Sequence, residues 1–512
     1  MRHGYVASTI ATLLAFALAP SGCGSTTDAP AAAPNDGGVE GGDMMAMPPA
    51  GCDTTKEPKD SPKCVSSEFG IFVSLNGKPD ATGKMDDPVS TIAAGLAKTG
   101  AIRRLYICDG TYAEHVVLKS AISLYGGFNC NTWVHDDTIR PVVGKLTEAG
   151  YGLDVQTVGG KFDIVDLEFG AGNGDDAFPN SIAARFVGTS DATLRRVKLT
   201  ARNGAQGRPG DPGVAGSAVN HTDFTGAISP FDPSGLPGEM AGPGGTRTCR
   251  CANAPATEVT SGGAGGTAGG GAGQTGGPTS LPSTGADDGA GGAAVAVNCN
   301  VGAGGGGGHN GAARVQAGSG TAPTRLGTLS DGAWKSETGV SGSVGLPGQG
   351  GGGGSGQSAG GGGGGGCGGC GGFGGNAGTG GGASIALLAI DSPLHVTGEL
   401  ATGKGGRGGD GGDGGTGGDG GTGGARGPGM AGGNGCTGGD GGKGGKGGAA
   451  SGGAGGLSVG ILTSGTPPVT DGATFTLGSF GDGGTGKSGN SGPPGIKANS
   501  ASVENVSTKT TM

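Results

Sequence analysis

The chain has 512 residues, of which 132 are glycine and 28 are proline, and its 32 basic and 41 acidic residues give a formal net charge of −9. That balance leaves no cationic footprint for nucleic acid, and aromatic residues at 4% offer little surface for stacking on sugars. Glycine and proline in such excess cannot build an ordinary side-chain core, and without a period they signal a disordered spacer.

Arg2 and His3 precede an apolar stretch from Val6 to Ala19. Its length suits the h-region of a signal peptide and is too short to span a bilayer, so residues 1–22 are read as an export signal. The following Pro20-Ser21-Gly22-Cys23 resembles the lipobox of bacterial lipoproteins, in which small residues precede a cysteine. The resemblance implies cleavage before Cys23 and its acylation; Pro20 stands where the family usually carries Leu, and a plain signal peptide is the competing reading. With Gly24 next, the resemblance to Gram-negative lipoproteins further implies sorting to the outer membrane and the cell surface. Residues 23–67, rich in Ala, Pro and Gly at their start, read as a lipid-anchored tether.

Setting Cys23 aside leaves Cys52, Cys64, Cys108, Cys130, Cys249, Cys251, Cys299, Cys367, Cys370 and Cys436, an even set suited to disulfides in an oxidising compartment. Cys52 with Cys64 and Cys108 with Cys130 are the nearest local choices; the other six stay unassigned. Cys367-Gly-Gly-Cys370 has redox-motif spacing, but polyglycine supplies neither the strand before it nor the helix after it that such chemistry needs.

Residues 68–204 form the one ordinary globular stretch. In 88–100, Ile92, Ala93, Leu96 and Ala97 fall on one face of a short helix with Ser90 as its cap. Arg104–Cys108, His115–Leu118 and Ile122–Tyr125 read as short strands divided by turn residues. The segment 87–128, with Gly110-Thr111-Tyr112-Ala113-Glu114 and Tyr125-Gly126-Gly127-Phe128, resembles the amino-terminal part of pectin-lyase-like right-handed parallel β-helix proteins. That resemblance covers about the first third of the chain and implies an all-β solenoid capped by a short helix; it speaks to fold and not to activity.

Internal repetition points the same way. Segments 152–174, 181–204, 384–406 and 457–484 share the plan strand, turn, strand, glycines. Val165 and Leu167, Val197 and Leu199, and Phe475 and Leu477 are set at comparable places, and 293–301 is read as a further half-rung. Small apolar strand pairs bury themselves only by stacking. The glycines then become insertions: 205–383 is a Gly-rich insertion with sparse strands, and 384–512 holds further rungs and a Gly-Gly-X insertion.

In that insertion Lys404, Arg407, Asp410, Asp413, Thr416, Asp419 and Thr422 recur at every third place. A period of three is that of polyproline II, which has no internal hydrogen bonds. Ordering costs roughly 1–2 kcal/mol per residue and a hydrogen bond returns about 1, so a lone rod cannot hold and the alternatives are a bundle or disorder.

Several motifs tempt a chemical reading. Gly481 to Ser488 satisfies the P-loop pattern, with Lys487 and Ser488 in the phosphate and magnesium places, but Gly489-Asn490-Ser491-Gly492-Pro493 cannot begin the required helix. Asp410, Asp413 and Asp419 lack the apolar residue that a calcium-binding β-roll needs after its aspartate. Asp163, Asp166 and Glu168 with Arg195, Arg196 and Lys198 are the acids and bases a polysaccharide lyase would require, yet their alternation with Val165, Leu167, Val197 and Leu199 is that of a solvated strand face. His135 reads as a turn residue, and the six histidines make no spaced pair for a metal.

The expectation is an all-β, disulfide-stapled parallel β-helix with Gly-rich insertions, anchored to the membrane by lipid. It would act without catalysis, cofactor or metal in a structural, adhesive or surface-interaction role, with surface polysaccharide or envelope proteins as partners. A carbohydrate-active β-helix enzyme is the rival.

Overall fold

The computed structural model describes residues 46–216, 244–251, 259–278, 288–294, 296, 298–301, 306–357, 360–427 and 433–508. Residues 1–22, expected as an export signal, and Cys23 lie outside them. Among the described residues no helix is long and apolar enough to cross a membrane.

The chain is almost entirely β. Its strands are β1 (Ile71–Lys78), β2 (Arg104–Cys108), β3 (Thr111–Tyr112), β4 (Val116–Leu118), β5 (Ser123–Phe128), β6 (Val142–Val143), β7 (Gly150–Gln156), β8 (Lys161–Val165), β9 (Glu168–Gly170), β10 (Ser181–Val187) and β11 (Asp191–Thr200), continued by β12 (Arg247–Arg250), β13 (Val259–Gly262), β14 (Gly327–Ser330), β15 (Ala333–Ser336), β16 (Ser384–Ile390), β17 (Leu394–Ala401), β18 (Ser458–Ser464), β19 (Ala473–Thr476) and β20 (Lys497–Ser502). Among the described residues two short α-helices, α1 (Ile92–Ala97) and α2 (Val503–Thr508), and a 3-10 turn at Pro62–Cys64 accompany them.

Two large parallel sheets carry the fold. One runs β4, β7, β10, β16, β18, β20; the other runs β1, β2, β5, β8, β11, β17, β19, with β9, β6 and β3 continuing beside the second half of β11. Each repeat seen in the sequence supplies one strand to the first sheet and the next to the second, so like residues stack. Ile71, Leu105, Leu124, Ile164, Leu194 and Val396 form one continuous column, and Phe169, Leu199, Leu400 and Phe475 another. These side chains fill the core between the sheets, buried together with Leu153, Leu387 and Ile461, with Phe475 half-buried at its edge. In this register Leu199 lies beside Phe169, so the alignment of Val197 and Leu199 with Val165 and Leu167 is off by two residues. Both runs carry a left-handed kink, at Asp166 (φ 55°) and Arg196 (φ 51°), so Val165 joins the outer cluster while Leu167 joins the core, and a two-residue spacing does not mark one face there.

Outward-facing Phe72, Tyr106 and Tyr125 form a second apolar ladder with Phe128, Trp133 and Val165. An exposed aromatic ladder on a sheet face needs a cover, and residues 46–67 provide part of it. Cys52 pairs with Cys64, Tyr106 Oη donates to Cys64 O at 2.7 Å, and Ala46 N donates to Ala101 O at 2.9 Å. The tether expected over 23–67 therefore does not extend through 46–67, which belong to the fold. The helix cap also moves by one residue: Thr91, not Ser90, accepts from Ala94 N. The segment 293–301 contributes no strand among its described residues.

The described segments of the glycine insertions form a hydrogen-bonded array. From Gly204 to Gly216 every third N–H donates to the carbonyl of Lys404, Arg407, Asp410, Asp413 and Thr416 in turn, at 2.7–2.8 Å. Gly406, Gly409 and Gly412 donate to Gly382, Thr379 and Asn376, while Gly405, Gly408 and Gly411 donate to Ser479, Asp482 and Thr485. Successive residues of one segment thus bond different neighbours, as a threefold rod requires. Among the described residues the segment 361–382 exchanges hydrogen bonds with six others: 204–216, 244–251, 259–278, 337–357, 402–427 and 433–456.

The two glycines of each Gly-Gly-X triplet have separate reasons. A Cβ on Gly405, Gly408 or Gly411 would strike a carbonyl of Gly456, Gly453 or Ala450; one on Gly406, Gly409 or Gly412 would strike Ala205, Arg208 or Asp211. Both faces are in backbone contact, and only X points outward: Lys404, Asp413, Thr416, Asp419 and Thr422 are exposed between buried glycines. Five disulfides fasten the whole. Besides Cys52–Cys64 and Cys108–Cys130 they are Cys249–Cys367, Cys251–Cys370 and Cys299–Cys436, the last three joining segments 118, 119 and 137 residues apart. The two thiols of Cys367-Gly-Gly-Cys370 therefore pair with the β12 side and not with each other.

Gly409→Ala is expected to cost about 1–3 kcal/mol through overpacking, and Thr416→Ala to stay within about 0.5 kcal/mol, as read by thermal unfolding. In hydrogen exchange the amides of Gly405, Gly406, Gly408 and Gly409 should be protected; immediate exchange throughout 404–456 would eliminate the array.

Candidate functional site

The charged residues singled out in the sequence meet at the kink of the second sheet. Asp163, Asp166 and Glu168 lie on one level, and Arg195, Arg196 and Lys198 on the next, because β8 and β9 both pair with β11. Each acid faces a base. Arg195 Nη2 is 2.9 Å from Asp163 Oδ1, and Lys198 Nζ is 3.0 Å from Glu168 Oε2. Arg196 grips Asp166 with two hydrogen bonds, Nε to Oδ1 and Nη2 to Oδ2, each 2.8 Å.

Two further groups close the cluster. His135 Nε2 stands 2.9 Å from Asp166 Oδ2, its ring edge-on to Phe128 with centroids 5.7 Å apart. His135 is thus a partner of Asp166 and not merely a turn residue. Glu57, on the Cys52–Cys64 loop, sets its carboxylate between the two arginines: Nη2 of Arg196 donates to Oε2 at 2.5 Å, and Nε of Arg195 lies 2.9 Å from Oε1. Sequence reasoning passed over Glu57 because 46–67 looked like tether; the short Cys52 to Cys64 spacing was the one local sign of a folded loop.

The electrostatics follow from this pairing. Burial alone would raise the Asp166 carboxyl, but hydrogen bonds from Arg196 and His135 outweigh it and hold the group below its ordinary 3.8. The bond to Asp166 is the main cause of the raised Arg196 value, with Glu57 adding to it against the opposing effect of burial. Burial pushes the Tyr106 phenol up to about 12. A similar fork lies on the first sheet, where Arg185 Nε and Nη2 bond the two Asp154 oxygens at 2.7 and 2.8 Å and the guanidinium sits 4.4 Å from the Tyr151 ring centroid.

The arrangement can lock two levels of the stack and the amino-terminal loop together. It does not present clustered carboxylates to a cation, because each is already engaged by a base. Among the described residues no group of three or more His, Cys, Asp or Glu side chains is placed to hold a metal ion. Asp410, Asp413 and Asp419 are likewise partnered, with Arg407 at 2.5 Å, Lys487 at 3.8 Å and Lys443 at 3.1 Å. In the P-loop-like segment, Gly481 and Gly484 spend their N–H groups on Gly456 and Gly453, so those donors are turned into the array. Cys23 falls outside the described residues.

Compared with protein-family models, curated proteins and solved structures, the chain matches none.

Arg196→Ala would strand Asp166 and Glu57 and is expected to lower stability by about 2–4 kcal/mol, a partly exposed version of breaking a buried pair; denaturant unfolding measures it. Asp166, depressed in the native state, contributes its stability above its unfolded value of 3.8 and loses it as pH falls through the lower native value. Asp410, held down mainly by the Arg407 hydrogen bond and further by Thr485, should titrate at about 2 when followed by NMR.

Proposed function

We propose that this chain is a non-catalytic, lipid-anchored protein of the Gram-negative outer membrane with a structural, adhesive or surface-interaction role. In this reading its parallel sheets form a right-handed parallel β-helix of the pectin-lyase-like kind, and its glycine array is a polyproline-II bundle thrown from one corner of the coil.

The observation that carries the reading is the array itself. Its interior is backbone packed on backbone, and its outer surface is a periodic display of charged and hydroxyl side chains from Lys404 to Thr422. Such a body has repeated surface features. Five disulfides suit an oxidising compartment outside the cytoplasm. The apolar stretch Val6 to Ala19 and the lipobox-like Pro20 to Cys23 supply export and anchor.

The pairing of Asp163, Asp166 and Glu168 with Arg195, Arg196 and Lys198 weighs against the rival lyase or hydrolase. A general base needs a free lone pair within reach of substrate, and Glu57 fills the space between the arginines.

Two experiments test the proposal. Metabolic lipid labelling should mark the protein in a globomycin-sensitive manner and be lost with Cys23→Ser, and protease shaving of intact cells should remove it. An unlabelled, unshaved protein overturns both anchor and surface placement. The purified protein is expected to turn over neither acidic nor neutral polysaccharide; turnover abolished by Asp166→Ala or Arg196→Ala would establish the enzyme instead.

A further inference from the structure

A cavity of about 460 Å³ lies away from the charged cluster, in the corner where the first glycine segment leaves the stacked strands. Its volume falls in the range of small-molecule sites, about 300–1,000 Å³. Gly380 to Gly382 line one side, β15 with Trp334 another, the loop 175–180 a third, and Tyr151 and Ile182 of the first sheet complete it. A Cβ on Gly380 would press against Ser336 Cβ at 2.6 Å, so glycine there keeps that side clear of side chains.

The loop is built to hold one aromatic ring at the mouth. Asp175 Oδ1 accepts the N–H groups of Ala177 and Phe178 at 2.8 Å each, and Asp175 N donates to Phe178 O at 3.0 Å. The turn so fixed leaves Phe178 59% exposed. Tyr151 is fixed as well, its ring 4.4 Å from the Arg185 guanidinium. The lining also carries a two-point polar pair: Arg208 Nε to Asp176 Oδ1 at 3.0 Å and Nη2 to Oδ2 at 2.8 Å, both side chains more than 60% exposed, at 64% and 71%.

These features select a ligand class. An exposed Phe178 ring beside a half-buried Tyr151 favours a partner with an apolar face, and an exposed Arg–Asp pair offers both donors and acceptors to hydroxyl groups. The charges lining the cavity, Asp175, Asp176, Arg208 and Lys335, cancel, so it favours neither an acid nor a cation. We propose that this cavity binds neutral pyranose units of an oligosaccharide, with Phe178 and Tyr151 against the C–H faces of the sugar and the Asp176–Arg208 pair bridging its hydroxyls. The inference names a ligand for the surface-interaction role proposed above and rests on that reading for its biological setting, whereas binding itself is a property of the purified chain.

The test is titration calorimetry of the purified protein with cellotriose and chitotriose, with trigalacturonate as the acidic comparison. At least one neutral trisaccharide should bind saturably at millimolar concentration or below, more tightly than trigalacturonate. Phe178→Ala and Arg208→Ala, both at exposed side chains, should each weaken that binding by about tenfold with an unchanged thermal midpoint. No binding by either neutral sugar, tighter binding of trigalacturonate, or binding indifferent to both substitutions overturns the proposal. Because the assay uses no membrane, its failure leaves the anchor standing, and a failure of lipid labelling leaves the sugar measurement standing.

Discussion

Close approach of glycine backbones is the constraint on which the rest of this molecule depends. In the array a Cβ at either glycine of a triplet would overlap a neighbouring carbonyl, as Gly406 against Ala205 and Gly405 against Gly456 illustrate. Removing every Cβ from two faces lets each rod exchange hydrogen bonds with several others at 2.6–3.2 Å, so the backbone itself becomes the core. The same logic explains why triplets lose even their X residue inside the bundle. In 337–357, Gly350, Gly353 and Gly356 face the rod 259–278, whereas Ser341, Val344 and Pro347 hold the equivalent places beyond its end.

Such rods do not set their own register, since one triplet is much like the next. The stacked strands set it for them. β11 and β17 pair Thr200 with Ala401; Ala201 N then donates to Ala401 O, and the ladder continues unbroken through Gly204 to Lys404 and Gly207 to Arg407. At the other end of the insertion Gly381 bonds Ala454, Ser384 bonds Leu457, and β16 pairs with β18. Rods therefore leave the sheets already aligned. Farther out the task passes to Cys249–Cys367, Cys251–Cys370 and Cys299–Cys436, which close loops of 118 to 137 residues and so remove much of the freedom of the unfolded chain.

The stack in turn is steadied by polar bonds at its kinks. Asp166 and Arg196 both adopt left-handed backbone, a conformation with a cost for residues bearing a side chain. Their two-point pairing links the two kinks across adjacent levels, and Glu57 ties the amino-terminal loop to the same place. An acid–base constellation that resembles machinery in the sequence is thereby occupied in holding shape.

The sequence by itself determined what depends on near neighbours. The Gly-Gly-X period, the strand-turn-strand repeats and the apolar stretch Val6 to Ala19 are all written in runs of a few tens of residues. Cys52–Cys64 and Cys108–Cys130 are of that kind too. What it left undetermined depends on residues far apart. Whether the glycines order was open because most of the stabilising bonds run between segments far apart in the chain, as from Gly210 to Asp410. The six remaining cysteines, the role of Glu57 beside Arg195 and Arg196, and the cavity between Tyr151, Phe178 and Trp334 share that origin. Only the tertiary structure decided them, because a rod without internal hydrogen bonds carries no information about its neighbours until the strands at its ends have put them side by side.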